Sequence, residues 1–363
     1  DYSRYLFFYF SHLVRNKEFS KVIDVSKSIE PLADNLLIAQ SKKWVENEKF
    51  EKFEKYFSCS NETDILSEFF FLISNLFSSQ EMYEQSNFYL RISNYLNNKF
   101  YFNLSLLAEN YFLSDNFKQS KKILNKFKNK DEVYNWYRVK KIGKILSNEG
   151  NESSSLKFTK KNFNLINDPS EKILYDMANI YKSFKKYEKA IEIYSKLLTK
   201  VEKDSYAYSR IIYRRGSCFE RLNNYEKADD DLLYSLKINP GDPYTMNYLA
   251  YSWLERNYKI DEAMEMLQSA YKKKENDPYI TDSVGWGYYL IGDYVNAEKY
   301  LKKAVQLMPS DPIVNDHYGD VLWQLDRKLQ AKYFWMNVLE LEETEEVMKK
   351  NIKIKLINGP KKI

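Results

Sequence analysis

Glycine and proline are scarce in this chain, 9 and 8 in 363 residues. No proline falls between Pro31 and Pro169, and no glycine precedes Gly143. That poverty excludes collagen-like and low-complexity chains and suits helices joined by short turns. Cysteine is scarcer still: Cys59 and Cys218 are the only two. They cannot form a disulfide framework, do not fix a redox compartment, and are expected as mostly buried thiols outside any disulfide. Histidine occurs only as His12 and His317. A zinc site needs three or four converging ligands, so no metal site is expected. No stretch reaches the ~18 apolar residues of a membrane span, the run Tyr5 to Phe10 being far too short. Charge shows no large excess of either sign, with 56 Lys and Arg against 51 Asp and Glu, a net +5 that does not argue for nucleic acid. There is no Ser-His-Asp or Cys-His arrangement and no glycine-rich phosphate loop, since Gly285-Trp286-Gly287 falls inside a helical pattern. No catalytic residue, cofactor or enzymatic activity is expected.

Aromatic residues, at 17%, are abundant, and they recur in order. The clearest pattern runs Gly285, Tyr288, Gly292, Tyr294, Ala297, Ala304, Pro309. The next copy follows 34 residues later, with Gly319 under Gly285 and Ala331 under Ala297. Asp-Pro steps repeat with it at Asp242-Pro243, Asp277-Pro278 and Asp311-Pro312, an N-cap followed by the first helical residue. Units begin near Glu171, Ser209, Pro243, Pro278 and Pro312, each a helix A followed by a helix B. Small residues mark where the two helices touch: Ala178, Gly216, Ala250, Gly285 and Gly319 on A, and Ala190, Ala228, Ala263, Ala297 and Ala331 on B. Asn223 and Gly292 sit in the A-to-B turn, where a left-handed residue is useful.

The first half is more degenerate. Met82-Tyr83 with Ser86 fits a unit near Ser67, and Asn116-Phe117 with Ser120 fits one near Tyr101. Further units near Ser3, Asp34 and Asn135 lack the small-residue contacts, and the count comes to ten. The polar run from Gly150 to Ser155 is expected as a flexible turn. Residues 1–170 form a degenerate helical region, 171–345 five regular repeats, and 346–363 a capping helix (Val347 to Ile357) and tail.

A period near 34 residues with these small, aromatic and proline positions resembles the tetratricopeptide repeat. The resemblance implies an all-α fold: a right-handed superhelical solenoid of antiparallel helix pairs with a C-terminal capping helix. The runs Asn247 to Ser252, Asp282 to Tyr289 and Asn315 to Trp323 further resemble repeat proteins of bacterial envelopes. Those are adaptors that serve envelope proteases or assembly machinery and often follow a signal peptide or lipoprotein leader. That likeness implies a periplasmic or outer-membrane-associated location, with a leader or lipid anchor upstream of Asp1 left open.

Helix A of each repeat lines the concave face. Four consecutive repeats place Tyr213, Asn247, Tyr251, Asp282, Trp286, Tyr289, Asp316, Asp320 and Trp323 on one wall. Rings and short polar groups suit an extended protein or peptide segment, and the carboxylates favour a basic or N-terminal one. Packing of Trp286 and Trp323 against the next repeat is the competing reading. His317 cannot share a face with its neighbour Asp316 on a helix, so it reads as structural or helix-capping. The lysine and asparagine clamp by which some cytosolic repeats hold a carboxylate terminus is not met, the matched positions being Tyr175, Asn179, Arg214 and Tyr248.

Residues 118–161 carry thirteen basic against four acidic side chains. No arginine–aromatic interleaving accompanies them, which favours a solvated face over a nucleic-acid surface. The sequence thus reads as a scaffold or adaptor. Two alternatives remain: a cytoplasmic protein that touches nucleic acid or a ribosome through 118–161, and the regulatory part of a larger enzyme.

Overall fold

The structure is a computed structural model and describes residues 2–32, 35–128 and 130–360. Among them are twenty-one α-helices, one 3-10 turn (Asn125–Phe127) and no strand, and the chain is 76% helical. It divides into two compact units, Asp1–Lys189 and Ala190–Ile363. The first unit holds α1 (Tyr2–Arg15), α2 (Phe19–Lys27), α3 (Leu36–Glu46), α4 (Glu51–Tyr56), α5 (Glu62–Ser79), α6 (Tyr83–Leu96), α7 (Phe102–Leu113), α8 (Phe117–Leu124), α9 (Glu132–Asn148), α10 (Glu152–Phe163) and α11 (Glu171–Ser183). The division falls inside α12 (Tyr187–Leu198). The second unit continues with α13 (Tyr206–Arg221), α14 (Tyr225–Ile238), α15 (Pro243–Glu255), α16 (Ile260–Lys273), α17 (Pro278–Leu290), α18 (Tyr294–Leu307), α19 (Pro312–Gln324), α20 (Lys328–Glu340) and α21 (Glu346–Asn358). No helix among the described residues is long and apolar enough to cross a membrane.

A backbone signal marks the repeats more evenly than the side chains do. A left-handed residue closes the turn between each odd-numbered helix and the next: Lys17, Glu48, Glu81, Asp115, Gly150, Lys185, Asn223, Asn257, Gly292 and Asp326. Their spacing runs from 31 (Lys17 to Glu48) to 38 (Lys185 to Asn223). Ten such turns mark ten helix–turn–helix units along the chain, with α21 beyond them. Eight of the ten carry a side chain in a conformation that costs an L-residue roughly 1–2 kcal/mol. Glycine relieves that cost and returns about half of it through its freer unfolded state. Glu81→Gly and Asp115→Gly are therefore each expected to stabilise by about 0.5–1 kcal/mol. Gln80→Gly, at φ −103, should destabilise. Denaturant midpoints of the three variants check this.

The helix-to-helix contact also persists into the first half, in altered chemistry. In the second unit Gly216 lies against the Ala228 carbonyl twelve positions on, and Gly285 and Gly319 stand at the same spacing before the buried Ala297 and Ala331. In the first unit the same spacing pairs Ser74 with Ser86, Ala108 with Ser120 and Gly143 with Ser155, all buried. There each B-helix serine donates its hydroxyl to the A-helix carbonyl: Ser86 to Ser74 at 2.8 Å, Ser120 to Ala108 at 2.9 Å, Ser155 to Gly143 at 2.7 Å. A small hydroxyl thus does the spacing of an alanine and satisfies itself against the facing backbone. The hairpin near Asn135 was expected to lack this contact; it has it, through Gly143. The first two hairpins depart, with Phe10 and Val22, then Ser41 and Phe53, at the matching positions, all buried.

Caps follow the sequence in the second unit: Asp242, Asp277 and Asp311 accept from backbone amides of the first turn, each before an N-terminal proline. In the first unit Asn35, Asn61, Asn116, Asp131 and Asn151 do the same without proline. The helix expected from Ser67 starts at Glu62, that from Asn135 at Glu132 and that from Ser209 at Tyr206. Asp34, the expected start of another, lies outside the described residues. The run from Gly150 to Ser155, expected as a flexible turn, is a turn at Gly150 only: Asn151 caps α10, which begins at Glu152. Cys218 is buried as expected but Cys59 is exposed, on the turn before α5, and no disulfide joins them.

Candidate partner-binding groove

Within the second unit the A helices pack in succession, α13 on α15, α15 on α17 and α17 on α19. This alignment brings the nine wall residues onto neighbouring helices but leaves them unequal. Tyr213 is half-buried, and its ring meets that of Tyr248 edge-on at 5.9 Å. The Tyr248 hydroxyl donates to Glu220 Oε2 at 2.7 Å. Asn247 and Tyr251 lie one turn apart on α15 and share a face. Both are half-buried, and Asn247 Oδ1 is a buried acceptor without a hydrogen-bond partner. Burial, then Glu255 and Asp282, push the Tyr251 hydroxyl well above the usual phenol range, so it stays a neutral donor.

Trp286 stands at the centre. Its Nε1 donates to Glu255 Oε1 at 2.6 Å, and its ring stacks on His317 at 4.0 Å and on Tyr289 at 4.6 Å. His317 Nδ1 lies 3.0 and 2.9 Å from the two oxygens of Asp282. Burial, the largest single influence, lowers the His317 pKa, but Asp282 together with Asp316 and Asp320 outweighs it and holds the ring above its ordinary value. His317 is therefore structural, as expected. It acts by tying one repeat to the next rather than by capping a helix.

The far end of the wall is closed by the chain itself. Lys355 of α21 sets its Nζ 2.7 Å from Asp316 Oδ1 and 2.8 and 2.7 Å from the two oxygens of Asp320. Trp335 Nε1 donates to Asp320 Oδ1 at 3.2 Å. Gly359, at φ +77, lays its backbone on Trp323 so closely that a Cβ there would come within 2.5 Å of the indole. Asp282 and Asp320, expected to draw in a basic segment, are instead buried and paired inside the fold. A buried carboxylate needs a partner, and residues 35 positions further along supply one in each case. Tyr289 is likewise core, 1% exposed beside Ala297 and Leu301. Tyr213, Asn247, Tyr251 and Trp286 remain the accessible part.

Sequence reasoning missed Glu220, Glu255 and Lys355. Glu255 lies one turn beyond Tyr251 and Glu220 two turns beyond Tyr213 on their A helices, and Lys355 lies in the expected cap. It also missed a cavity of about 490 Å³ in the first unit, floored by Phe71, Phe102, Trp136 and Tyr137. Its rim carries Lys43 paired with Glu132, Lys140 with Asp176 and Lys141 with Glu109. These last two pairs, with Lys121 on Glu149 at 2.7 Å, take lysines of the 118–161 run into internal ion pairs. Among the described residues no group of three or more His, Cys, Asp or Glu is placed to hold a metal ion.

Known proteins resemble the chain in the same terms. The tetratricopeptide repeat family profile matches residues 171–199 and 209–242. A TPR repeat-containing protein of Pseudomonas aeruginosa is 33% identical over 110 residues, 30% of this chain and 18% of that protein. Anaphase-promoting complex subunit 3 of Schizosaccharomyces pombe is 24% identical over 117 residues, 32% of this chain and 16% of that protein. The chain thus spans under a fifth of the length of these curated relatives. A crystal structure of a tetratricopeptide repeat protein from Parabacteroides merdae superposes with a TM-score of 0.57 at 17% identity, covering 70% of this chain and 98% of that one. It shares the fold.

Proposed function

We propose that this chain, which carries tetratricopeptide repeats, is a non-enzymatic scaffold that holds an extended protein segment along the accessible wall of its second unit. The observation that carries the reading is the alignment of the half-buried rings of Tyr213, Tyr251 and Trp286 on three successive A helices, α13, α15 and α17. These rings supply rigid area, and Glu255 gives that part of the wall an acidic edge that favours a basic segment, Glu220 being matched by Arg221 at 3.6 Å.

A bacterial envelope location belongs to the same proposal, supported by the likeness of the runs Asn247 to Ser252, Asp282 to Tyr289 and Asn315 to Trp323 to envelope adaptors. An envelope protease or assembly component is the kind of partner it implies. Cell fractionation tests the location: recovery with cytoplasmic markers would overturn it.

Partner capture by crosslinking in the native cell tests the groove. Truncating Trp286 and Tyr251 together is expected to weaken capture well over tenfold, since central aromatic anchors often cost ~2 kcal/mol or more each. Circular dichroism should stay helical throughout. Tyr289 is not a useful probe, because its removal empties the core. Unchanged capture by a folded double variant would move the segment to the cavity of the first unit.

A further inference from the structure

The third hairpin, α5 and α6, presents an apolar face that its own chain leaves uncovered. Ile65, Leu66, Phe69, Leu72 and Leu76 of α5 are 49–59% exposed. No other helix among the described residues carries more than three exposed large apolar side chains. Ile65, Phe69, Leu72 and Leu76 fall at i, i+4, i+7 and i+11, a single stripe about 17 Å long at the helical rise. A contiguous patch of this kind marks an interaction surface, unlike singly scattered exposed residues.

The register of the repeats identifies the stripe. Ser74 holds the place in α5 that Gly285 holds in α17 and Gly319 in α19, each twelve positions before its B-helix partner. By that register Phe69, Leu72 and Leu76 correspond to Ile280, Ser283 and Gly287 in α17, and to Val314, His317 and Val321 in α19. All six are buried. A Cβ on Gly287 would meet Met264, Leu254 and Leu267, which belong to the preceding hairpin. The stripe is therefore the surface on which a repeat normally receives the repeat before it.

For α5 that predecessor is elsewhere. Helix α3 packs on α9. Gln40 donates to Asp131 at 2.5 Å, and Lys43 pairs with Glu132. The Tyr56 carbonyl at the end of α4 accepts from Asn97 at 3.0 Å, and Phe53 and Phe57 join Phe100 in one core. The tie to α5 is Arg4 of α1, bonded to Glu68 and lying 3.7 Å above the Phe71 ring. The first two hairpins are thus fastened to later elements, and the stacking face of the third stays open.

The geometry points to an amphipathic helix with basic flanks, from a protein partner, as the occupant of this face, seated where the preceding hairpin would stack. Shape sets the helical form, since every equivalent surface along α17 and α19 is filled by helices. Charge sets the sign. Hairpin residues 62–96 carry Glu62, Asp64, Glu68, Glu81 and Glu84 against Arg91 alone, in a chain that is basic overall. Glu62 and Asp64 lie at one end of the stripe and Glu81 and Glu84 beyond the other. A second copy of the chain would bring two such acidic rims together and be repelled.

The test places a photo-crosslinking p-benzoylphenylalanine at Leu72 of the full chain in the native cell. The comparison position is Phe88 on α6, itself 60% exposed. The crosslinked peptides are sequenced by mass spectrometry. The expected product at Leu72 is a segment of another protein with apolar residues at three- and four-residue spacing bracketed by Lys and Arg. Its yield should exceed that at Phe88 at least tenfold, and Glu62→Lys with Glu81→Lys should cut it at least fivefold in a protein that stays helical. Crosslinks to a second copy, to lipid, or to an acidic or non-amphipathic segment would overturn the proposal, as would a yield no higher than at Phe88. The Trp286 and Tyr251 double variant should leave the Leu72 product unchanged, which separates this surface from the groove of the second unit.

Discussion

Replacing Lys355 with Met is expected to destabilise the second unit by about 3 kcal/mol and to release α21 first. The Lys355 side chain is 19% exposed and its ammonium sits within 2.8 Å of two carboxylates, one of which, Asp320, is 3% exposed. Removing one partner of a buried pair leaves a charge without compensation and costs about 3–5 kcal/mol. The partial exposure of Lys355 and Asp316 brings the expectation to the lower end. The pH dependence identifies the cause. Burial, and then Asp316, already push Asp320 up to about 6 despite Lys355. A carboxyl raised in the fold stabilises it most below its unfolded value of about 3.9 and loses that contribution as pH rises through the folded value. Without Lys355 the folded value climbs further. The variant should therefore approach wild type near pH 4 and fall away from it towards pH 7. Thermal unfolding followed across that range checks this, and a deficit independent of pH would refute the assignment. His317 adds to the same slope in wild type. Its folded value is raised, so its contribution is complete below about 6.5 and lost as pH rises beyond it.

The sequence made the repeats of the second half legible because glycine and alanine are conspicuous where two helices touch. It hid those of the first half because the same constraint, small volume, is met there by serine, which elsewhere reads as a surface residue. Ser86, Ser120 and Ser155 are recognisable only once their spacing of twelve to Ser74, Ala108 and Gly143 is seen. The turns were hidden for a similar reason. Glycine announces a left-handed residue at Gly292, but Glu81 and Asp115 adopt the same backbone under tertiary constraint, which no local propensity records.

The candidate groove was legible as a set of neighbours and not as a set of exposures. Helical spacing correctly aligned Asn247 with Tyr251 and Trp286 with Tyr289. It said nothing of which side chains a later repeat would cover. His317 answers Asp282 and Lys355 answers Asp320 across about one repeat length, and such pairing is a property of stacked hairpins rather than of any one of them. The displaced first two hairpins were hidden too, since nothing along α3 or α4 signals docking on α9 through Gln40 and Lys43.

The close contact between α17 and α18 makes a second large effect, with a local signature. Gly285 is so near α18 that a Cβ would lie 2.6 Å from Leu301 Cγ and 2.9 Å from the Leu301 backbone nitrogen. A side chain can swing aside, but a backbone atom moves only with its helix. Ala297, one turn before Leu301 on α18, has no exposed surface at all. Gly285→Ala and Ala297→Leu should each cost roughly 1–3 kcal/mol or more by forcing the two helices apart. Combined, they should cost less than the sum, because the first displacement already makes room for the second. Hairpins in a repeat array are coupled chiefly to their neighbours, so the loosening should concentrate in α15 to α20. Hydrogen exchange resolves this directly: faster exchange is expected there, with α5 to α10 unchanged. Uniform acceleration from the first hairpin onward would mean that the units unfold as one body, and unchanged exchange in α17 and α18 would mean that the contact has slack the distances do not show.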